Sequence, residues 1–259
     1  MARFAAEGGE RHQNRDGWGI MFADGHDGHL FREAAPASDS LLDRFVREHE
    51  SPSDAVIAHV RRASRGPRIL ANTHPFRRVR SGYAQHFAHN GSLSDLESMP
   101  EARSLRAECV GDTDSELAFL VLLGRLEKVA PAVVEISQRF DVFTEFAREM
   151  SLLGTANFLY YDGYALYVFA DQRVWETDSG LTSPQPPGLH MLRYQAGKSG
   201  ARHRFAAGTL SGISDALILF ASVPLNERGW LPIIRGTSLV VRNGELLARR
   251  HPEVSALAL

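Results

Sequence analysis

Two dipeptides, Asp162-Gly163 and Asn243-Gly244, constrain this chain more than any other feature. Each divides two runs rich in β-branched, aromatic and other apolar residues: Asn157 to Tyr161 from Tyr164 to Ala170, and Ser238 to Arg242 from Glu245 to Arg249. Asp-Gly and Asn-Gly tolerate the positive φ angles of a tight turn whose twist suits its flanking strands, so both predict antiparallel hairpins. Two helical patterns precede the first hairpin. Thr113 and Glu116 have the T-x-x-E spacing of a capping box and open an apolar-periodic segment from Asp114 to about Val129. Val133, Val134, Phe140, Phe143 and Phe146 make a second amphipathic helix from Pro131 to about Met150.

Earlier in the chain, Trp18 to Ala23 reads as a strand, Asp27-Gly28 as a turn, and His29 to Arg32 as the returning strand. Ser38 or Asp39 caps a helix running through His49, and Asp54 to Arg61 forms a buried strand. Arg62 to Val79 has no regular period, and a loop of that length inside a compact domain is usually functional. Leu189 to Tyr194 and Ala216 to Ser222 add strands late in the sequence. Strands, two consecutive helices, then strands again predict one α+β sandwich with helices outside.

With 259 residues and 44% hydrophobic content, the chain can bury the core that such a domain needs. A net charge of −2 gives no electrostatic reason to expect nucleic acid or a membrane as partner. No apolar run reaches membrane-spanning length, and the first residues lack a signal peptide's apolar core, so a cytoplasmic location is the default expectation. The single cysteine, Cys109, excludes an internal disulfide and any multi-cysteine metal site. His12, His26 and His29 sit among Gly and Asp without a recognised ligand spacing, so neither a metal nor another cofactor is expected.

The chemistry concentrates between Ala88 and Glu116. An apolar-leaning run from Tyr83 ends in His89-Asn90-Gly91. A side-chain amide beside a glycine at a strand end can aim two N–H donors at one oxygen, the composition of an oxyanion hole. The capping box places Asp114 in the first helical turn, where a fixed carboxylate can meet a ligand's ammonium. Read singly, each piece fits a hairpin turn and an ordinary helix start equally well.

Five motifs occur in one order: D-G-W-G-I at Asp16, A-H-V-R at Ala58, N-T-H-P-F at Asn72, A-H-N-G-S-L at Ala88 and G-D-T-D-S-E at Gly111. Together they resemble the class II glutamine amidotransferases, the type 6 domain of the N-terminal-nucleophile hydrolase superfamily, in its stand-alone bacterial form. The resemblance is specific over Phe4 to about Val129. It implies a four-layer αββα sandwich of two mainly antiparallel sheets across residues 1–259. It also implies hydrolysis of the side-chain amide of glutamine, or of another γ-glutamyl amide, through a cysteine thioester. Arg61 matches the arginine that pairs with the substrate α-carboxylate, and Asp114 the aspartate that holds its α-ammonium. Asn90 and Gly91 match the oxyanion hole. His74 and Phe76 match residues of the glutamine pocket wall, and Trp18 and Gly19 match the turn flanking the nucleophile strand.

The family's nucleophile is an N-terminal cysteine, activated by its own α-amino group with an ordinary pKa of about 8. Here Met1 precedes Ala2, no Cys, Ser or Thr precedes Ser38, and Cys109 lies far from the matching position. The expectation is therefore a chain beginning downstream of its first strand, inactive as given, with an open sheet edge beside Trp18 to Phe22. A non-catalytic glutamine or γ-glutamyl binding module is the alternative. If active, the domain either delivers ammonia to a separate synthase partner or acts as a simple γ-glutamyl amidase, as in ergothioneine-type biosynthesis.

Overall fold

The computed structural model describes residues 14–49, 52–63, 66–177, 179–195, 203–205, 208–210, 216–226 and 229–252. His12 lies outside them. The chain opens with β1 (Trp18–Asp24) and β2 (Asp27–Glu33), then α1 (Leu41–Glu48) and β3 (Val56–Val60). A 3-10 turn, Leu70–Asn72, leads to β4 (Phe76–Arg80) and β5 (Tyr83–Leu93). Three helices follow: α2 (Pro100–Leu105), α3 (Asp114–Val129) and α4 (Ile136–Leu153). The first predicted hairpin is β6 (Gly154–Tyr161) and β7 (Leu166–Ala170). Two short ribbons, β8 (Glu176–Thr177) with β9 (Gly180–Leu181) and β11 (His203–Phe205) with β12 (Gly208–Leu210), flank β10 (His190–Gln195) in sequence. Then come β13 (Ala216–Ala221), β14 (Leu231–Pro232) and the second hairpin, β15 (Thr237–Arg242) with β16 (Glu245–Arg250).

Every strand pairing between these elements is antiparallel. A six-stranded sheet runs β16-β15-β7-β6-β5-β4, and two three-stranded sheets, β2-β1-β3 and β13-β10-β14, lie across it. The period of two along each strand sorts the side chains into layers. Phe87, Phe158, Tyr160 and Tyr167 face α3 and α4, where Phe119, Phe143 and Phe146 fill the largest core. Ala88 and Tyr161 face the other way, onto Met21, Ala23 and Ile57 of the small sheet. Leu159 and Leu166 join that seam to the one beneath β10. Trp18, Ile20 and Val46 close the outer seam between the small sheet and α1. The order helix, sheet, sheet, helix is the αββα sandwich the sequence predicts.

Several local expectations are corrected. The first turn is made by Gly25, at φ +56°, and His26, so Asp27 and Gly28 already belong to β2. The cap of α1 is Ser40, whose side chain accepts from the Asp43 N–H, one or two residues beyond the predicted cap. Helix α4 begins at Ile136, and Pro131 stays in the connection before it. The run from Arg62 to Val79 contains the 3-10 turn and most of β4. Strand β5 does not end at His89; it continues through Asn90 and Gly91 to Leu93, paired with β6 throughout. Finally, β1 is bonded on both sides, to β2 and β3, and Trp18, Ile20 and Met21 are fully buried, so no open edge lies beside Trp18 to Phe22.

Candidate active site

The space between the two sheets changes character along the strands. Toward Asp24 it is apolar, filled by Met21, Ala23, Ile57, Ala88 and Tyr161. Toward Trp18 the same inner faces carry Gly19, His59 and Asn90, with Arg61 just past the end of β3. The chain at Thr73-His74-Pro75 crosses this end, pressed so closely on β1 that a Cβ on Gly19 would lie 2.2 Å from the His74 carbonyl oxygen. Only glycine permits that approach.

Arg61 is 4% exposed, and its Nη1 donates to the carbonyls of Asp16 and Pro67, both at 3.3 Å. Burial pulls the guanidinium below its ordinary pKa, while Asp16 opposes the fall. The Pro67 carbonyl also accepts from Asn72 Nδ2 at 3.1 Å, and Asn72 Oδ1 accepts from the Asp112 N–H at 2.8 Å. This bridge ties the loop carrying Arg61 to the turn that opens α3. There Thr113 Oγ1 accepts from the Glu116 N–H at 3.2 Å, forming half of the predicted capping box. The other half is absent because Glu116 turns instead to the Val110 and Gly111 N–H groups and to Arg78.

Asp114 therefore sits where the sequence places it, in the first turn of α3. Its Oδ2 accepts from the Leu93 N–H at 2.6 Å and its Oδ1 from the Ser115 N–H at 2.9 Å. These bonds also orient Gly91. In a strand, alternate N–H groups point to alternate edges. Ser92 donates toward β6, to Thr155 Oγ1, and Leu93 donates away from it, to Asp114. The Gly91 N–H thus projects toward the Asp114 edge, beyond the end of β4, which pairs with β5 only as far as Phe87. The Asn90 carbonyl is held by Asn157 Nδ2 at 3.0 Å.

His74 is buried, and its ring stacks 4.3 Å from His59 and 4.5 Å from Phe76. Neither nitrogen of His74, nor Nδ1 of His59, has a hydrogen-bond partner among the described residues. Burial first, then the repulsion that protonation would meet from His59, His89, Arg61 and Arg32, holds His74 well below the usual histidine pKa. Burial also lowers His59, to about 4. The rings are neutral at physiological pH, each a donor and an acceptor beside a fixed cation.

Of the residues picked from sequence, Arg61, His74 and Asn90 stand toward the Trp18 end of the interlayer, and Asp114 is bonded to β5 at Leu93, two residues beyond Gly91. Phe76 lies beneath His74 as part of the helix-side core. Trp18 is elsewhere: it packs on the outer face of β1, and its Nε1 donates to Glu33 at 3.1 Å. His59, Asn72 and Asn157 were not picked. The first two stand inside quoted motifs, but Asn157 carries no local signal, because only the β5–β6 register brings it to Asn90. Cys109 lies behind α2, half-buried against the helix-side core; burial first, then Glu116, pushes its thiol up to about 11. That is the environment of an inert packing residue. Among the described residues no group of three or more His, Cys, Asp or Glu could hold a metal.

The arrangement offers a cation, a carboxylate and strand-held N–H donors on one small polar space, and the chain's relatives agree in kind. The family model for class-II glutamine amidotransferases matches residues 1–258. "Putative glutamine amidotransferase YafJ" of Escherichia coli (strain K12) is 36% identical over 157 residues, which are 60% of this chain and 60% of that protein. A protein of Haemophilus influenzae named "Putative glutamine amidotransferase" is 32% identical over 243 residues, 90% of this chain and 75% of that one. The chain thus spans about three-fifths of the length of YafJ. A crystal structure titled as a predicted glutamine amidotransferase from Pseudomonas aeruginosa PA01 superposes with a TM-score of 0.66 at 28% identity, covering 90% of this chain and 87% of that one. The chain belongs to the class-II glutamine amidotransferases.

Proposed function

We propose that this domain binds glutamine, or a γ-glutamyl amide, at the polar end of the interlayer and hydrolyses its side-chain amide. The observation that carries the reading is that three separate segments, bearing Arg61, Asp114 and the Asn90–Gly91 pair, are tied together by the Pro67–Asn72–Asp112 bridge and the Leu93–Asp114 bond. Arg61 pairs with the substrate α-carboxylate, because a planar guanidinium matches a carboxylate fork. Asp114 takes the α-ammonium, using carboxylate capacity beyond its two backbone bonds. Asn90 and the Gly91 N–H stabilise the oxyanion formed at the amide carbon.

In this reading a cysteine thiolate attacks that carbon, the amide nitrogen takes a proton and leaves as ammonia, and water then hydrolyses the thioester. Cys109 is excluded from the part by its position and its raised pKa. With Cys109 excluded, none of the 259 residues supplies that thiolate, and in this reading they bind substrate without turning it over. Cys109 is the one cysteine among the 259 residues, and this also favours a second reading, a binding module built on the same clamps. A cytoplasmic setting, with ammonia passed to a synthase partner or released by a free-standing amidase, belongs to the same proposal.

Calorimetry tests the clamp. The chain should bind glutamine, and Arg61→Ala should lose about 2–5 kcal/mol of affinity, since it leaves the substrate carboxylate unpaired in a buried site. Undiminished binding by that variant would refute the assignment. Ammonia release by a chain extended to an upstream cysteine separates enzyme from binding module. Turnover by the 259-residue chain that survives Cys109→Ala would place the chemistry elsewhere.

A further inference from the structure

His89 stands between the oxyanion donors and the ammonium clamp, and none of the roles above uses it. Its ring is buried on the helix side of β5, 4.9 Å from the Phe158 ring. Nε2 lies 2.8 Å from the Thr155 carbonyl oxygen, and Nδ1 lies 2.9 Å from Ser115 Oγ. A carbonyl oxygen only accepts, so Nε2 must carry the hydrogen; Nδ1 then presents a lone pair, and the Ser115 hydroxyl donates to it. The imidazole therefore bridges β6 to the first turn of α3, one residue from Asp114.

The bridge passes over Gly91. A Cβ there would fall 2.5 Å from His89 Nε2 and 1.9 Å from the Thr155 oxygen. The glycine that frees the oxyanion donor also makes room for the ring. Ser115 donates its own N–H to Asp114 Oδ1 at 2.9 Å, so the chain of bonds runs Thr155, His89, Ser115, Asp114. The titratable groups acting on the ring are Asp114 on α3, Asp171 after β7, His59 on β3 and His74 in the crossing segment.

We propose that His89 is a positioning residue that fixes the separation between the Asn90–Gly91 donors and Asp114, and that it does so as the Nε2–H tautomer. The proposal rests on the binding roles given above to those residues. Among the described residues the other hydrogen bond between β5 and the first turn of α3 is Leu93–Asp114, about which the spacing of strand and helix can rock even though Asn72 and Arg78 hold the turn from other segments. A second, rigid strut removes that freedom, and ångström-scale placement of charged groups governs their use.

Nitrogen-15 NMR of histidine-labelled protein, with His89 assigned by its loss in His89→Gln, tests the tautomer. A protonated Nε2 and a bare Nδ1 at neutral pH are expected; an Nδ1–H tautomer or an imidazolium would overturn the proposal. Calorimetry with glutamine tests the positioning. Ser115→Ala, which keeps the packing and removes the hydroxyl, should weaken binding about tenfold. In a cycle with Asp114→Asn, the loss in the double variant should fall short of the sum of the two single losses. Fully additive losses would mean that Ser115 and His89 act independently of the clamp, and would overturn it. A parent chain that binds no glutamine would defeat the proposed function, while the tautomer measurement would still decide whether the bridge exists.

Discussion

Two buried polar clusters lie on opposite faces of the large sheet, and they treat their polar atoms differently. On the helix side, Arg139 donates from Nε to Asp162 at 2.8 Å, from Nη1 to the Ala130 carbonyl at 2.7 Å and from Nη2 to Tyr160 at 2.7 Å. Asp162 accepts further from the Tyr164 and Ala165 N–H groups, and Tyr160 hands its proton to Gln85. In the interlayer, both nitrogens of His74 and His86 and Nδ1 of His59 have no partner among the described residues. Unused hydrogen-bonding capacity in a buried place is costly, so proteins keep it where something else completes it. The helix-side network is nearly closed, with only the neighbouring Tyr167 hydroxyl left unpartnered among its described members, and signals architecture; the more open one beside a fixed cation signals a site.

The largest effect should come from opening the closed cluster. Arg139→Met leaves the Asp162 carboxylate buried without its cation and should cost about 3–5 kcal/mol in urea unfolding. A loss under about 1 kcal/mol would mean the two clusters do not differ as described.

Acid probes the other cluster. Burial lowers His59 to about 4, so the folded state holds it neutral while the unfolded chain protonates near its ordinary value of 6.5. The unfolded state then binds more protons, and stability, fully present above about pH 6.5, falls as the pH drops toward about 4. His59 alone should account for about 3 kcal/mol of that fall. His59→Gln should flatten the slope between those limits, and an unchanged slope would remove His59 from the account.

Next comes crowding. Gly91→Ala should cost about 1–3 kcal/mol, because the added methyl meets the Thr155 carbonyl and the His89 ring. It should also abolish glutamine binding. The matched control is Gly124 in α3, where a Cβ meets nothing within 4 Å. Gly124→Ala should stabilise by about 0.5–1 kcal/mol, the ordinary helix preference for alanine. Opposite signs at these two glycines would confirm that close packing at Gly91 is tied to the site.

The sequence disclosed whatever is written locally. The bounds of α3 follow from Thr113, a cap that acts within one turn, and both late hairpins follow from their turn residues. Arg61, Asn90 and Asp114 were visible because their motifs keep order along the chain. Features set by register were not visible. The continuation of β5 past His89 depends on Thr155, and the burial of Trp18 depends on which face of β1 meets α1. The cap of α1 was misplaced because Ser38, Asp39 and Ser40 are all competent, and only the start of the helix at Leu41 chooses among them.

The pairing of β5 with β6 has a kinetic consequence. Asn90 and Asn157, whose bond supports the oxyanion strand, are 67 residues apart, with three helices between them. The β1-β2-β3 meander that leads into Arg61 closes over much shorter loops. Closing a long loop costs entropy before any contact repays it, so pairings of this kind form late. Arg61 can therefore be in place early in folding, whereas the Asn90–Gly91 end of β5 must await the helical layer. The proposed binding site would then be one of the last features the chain completes as it folds.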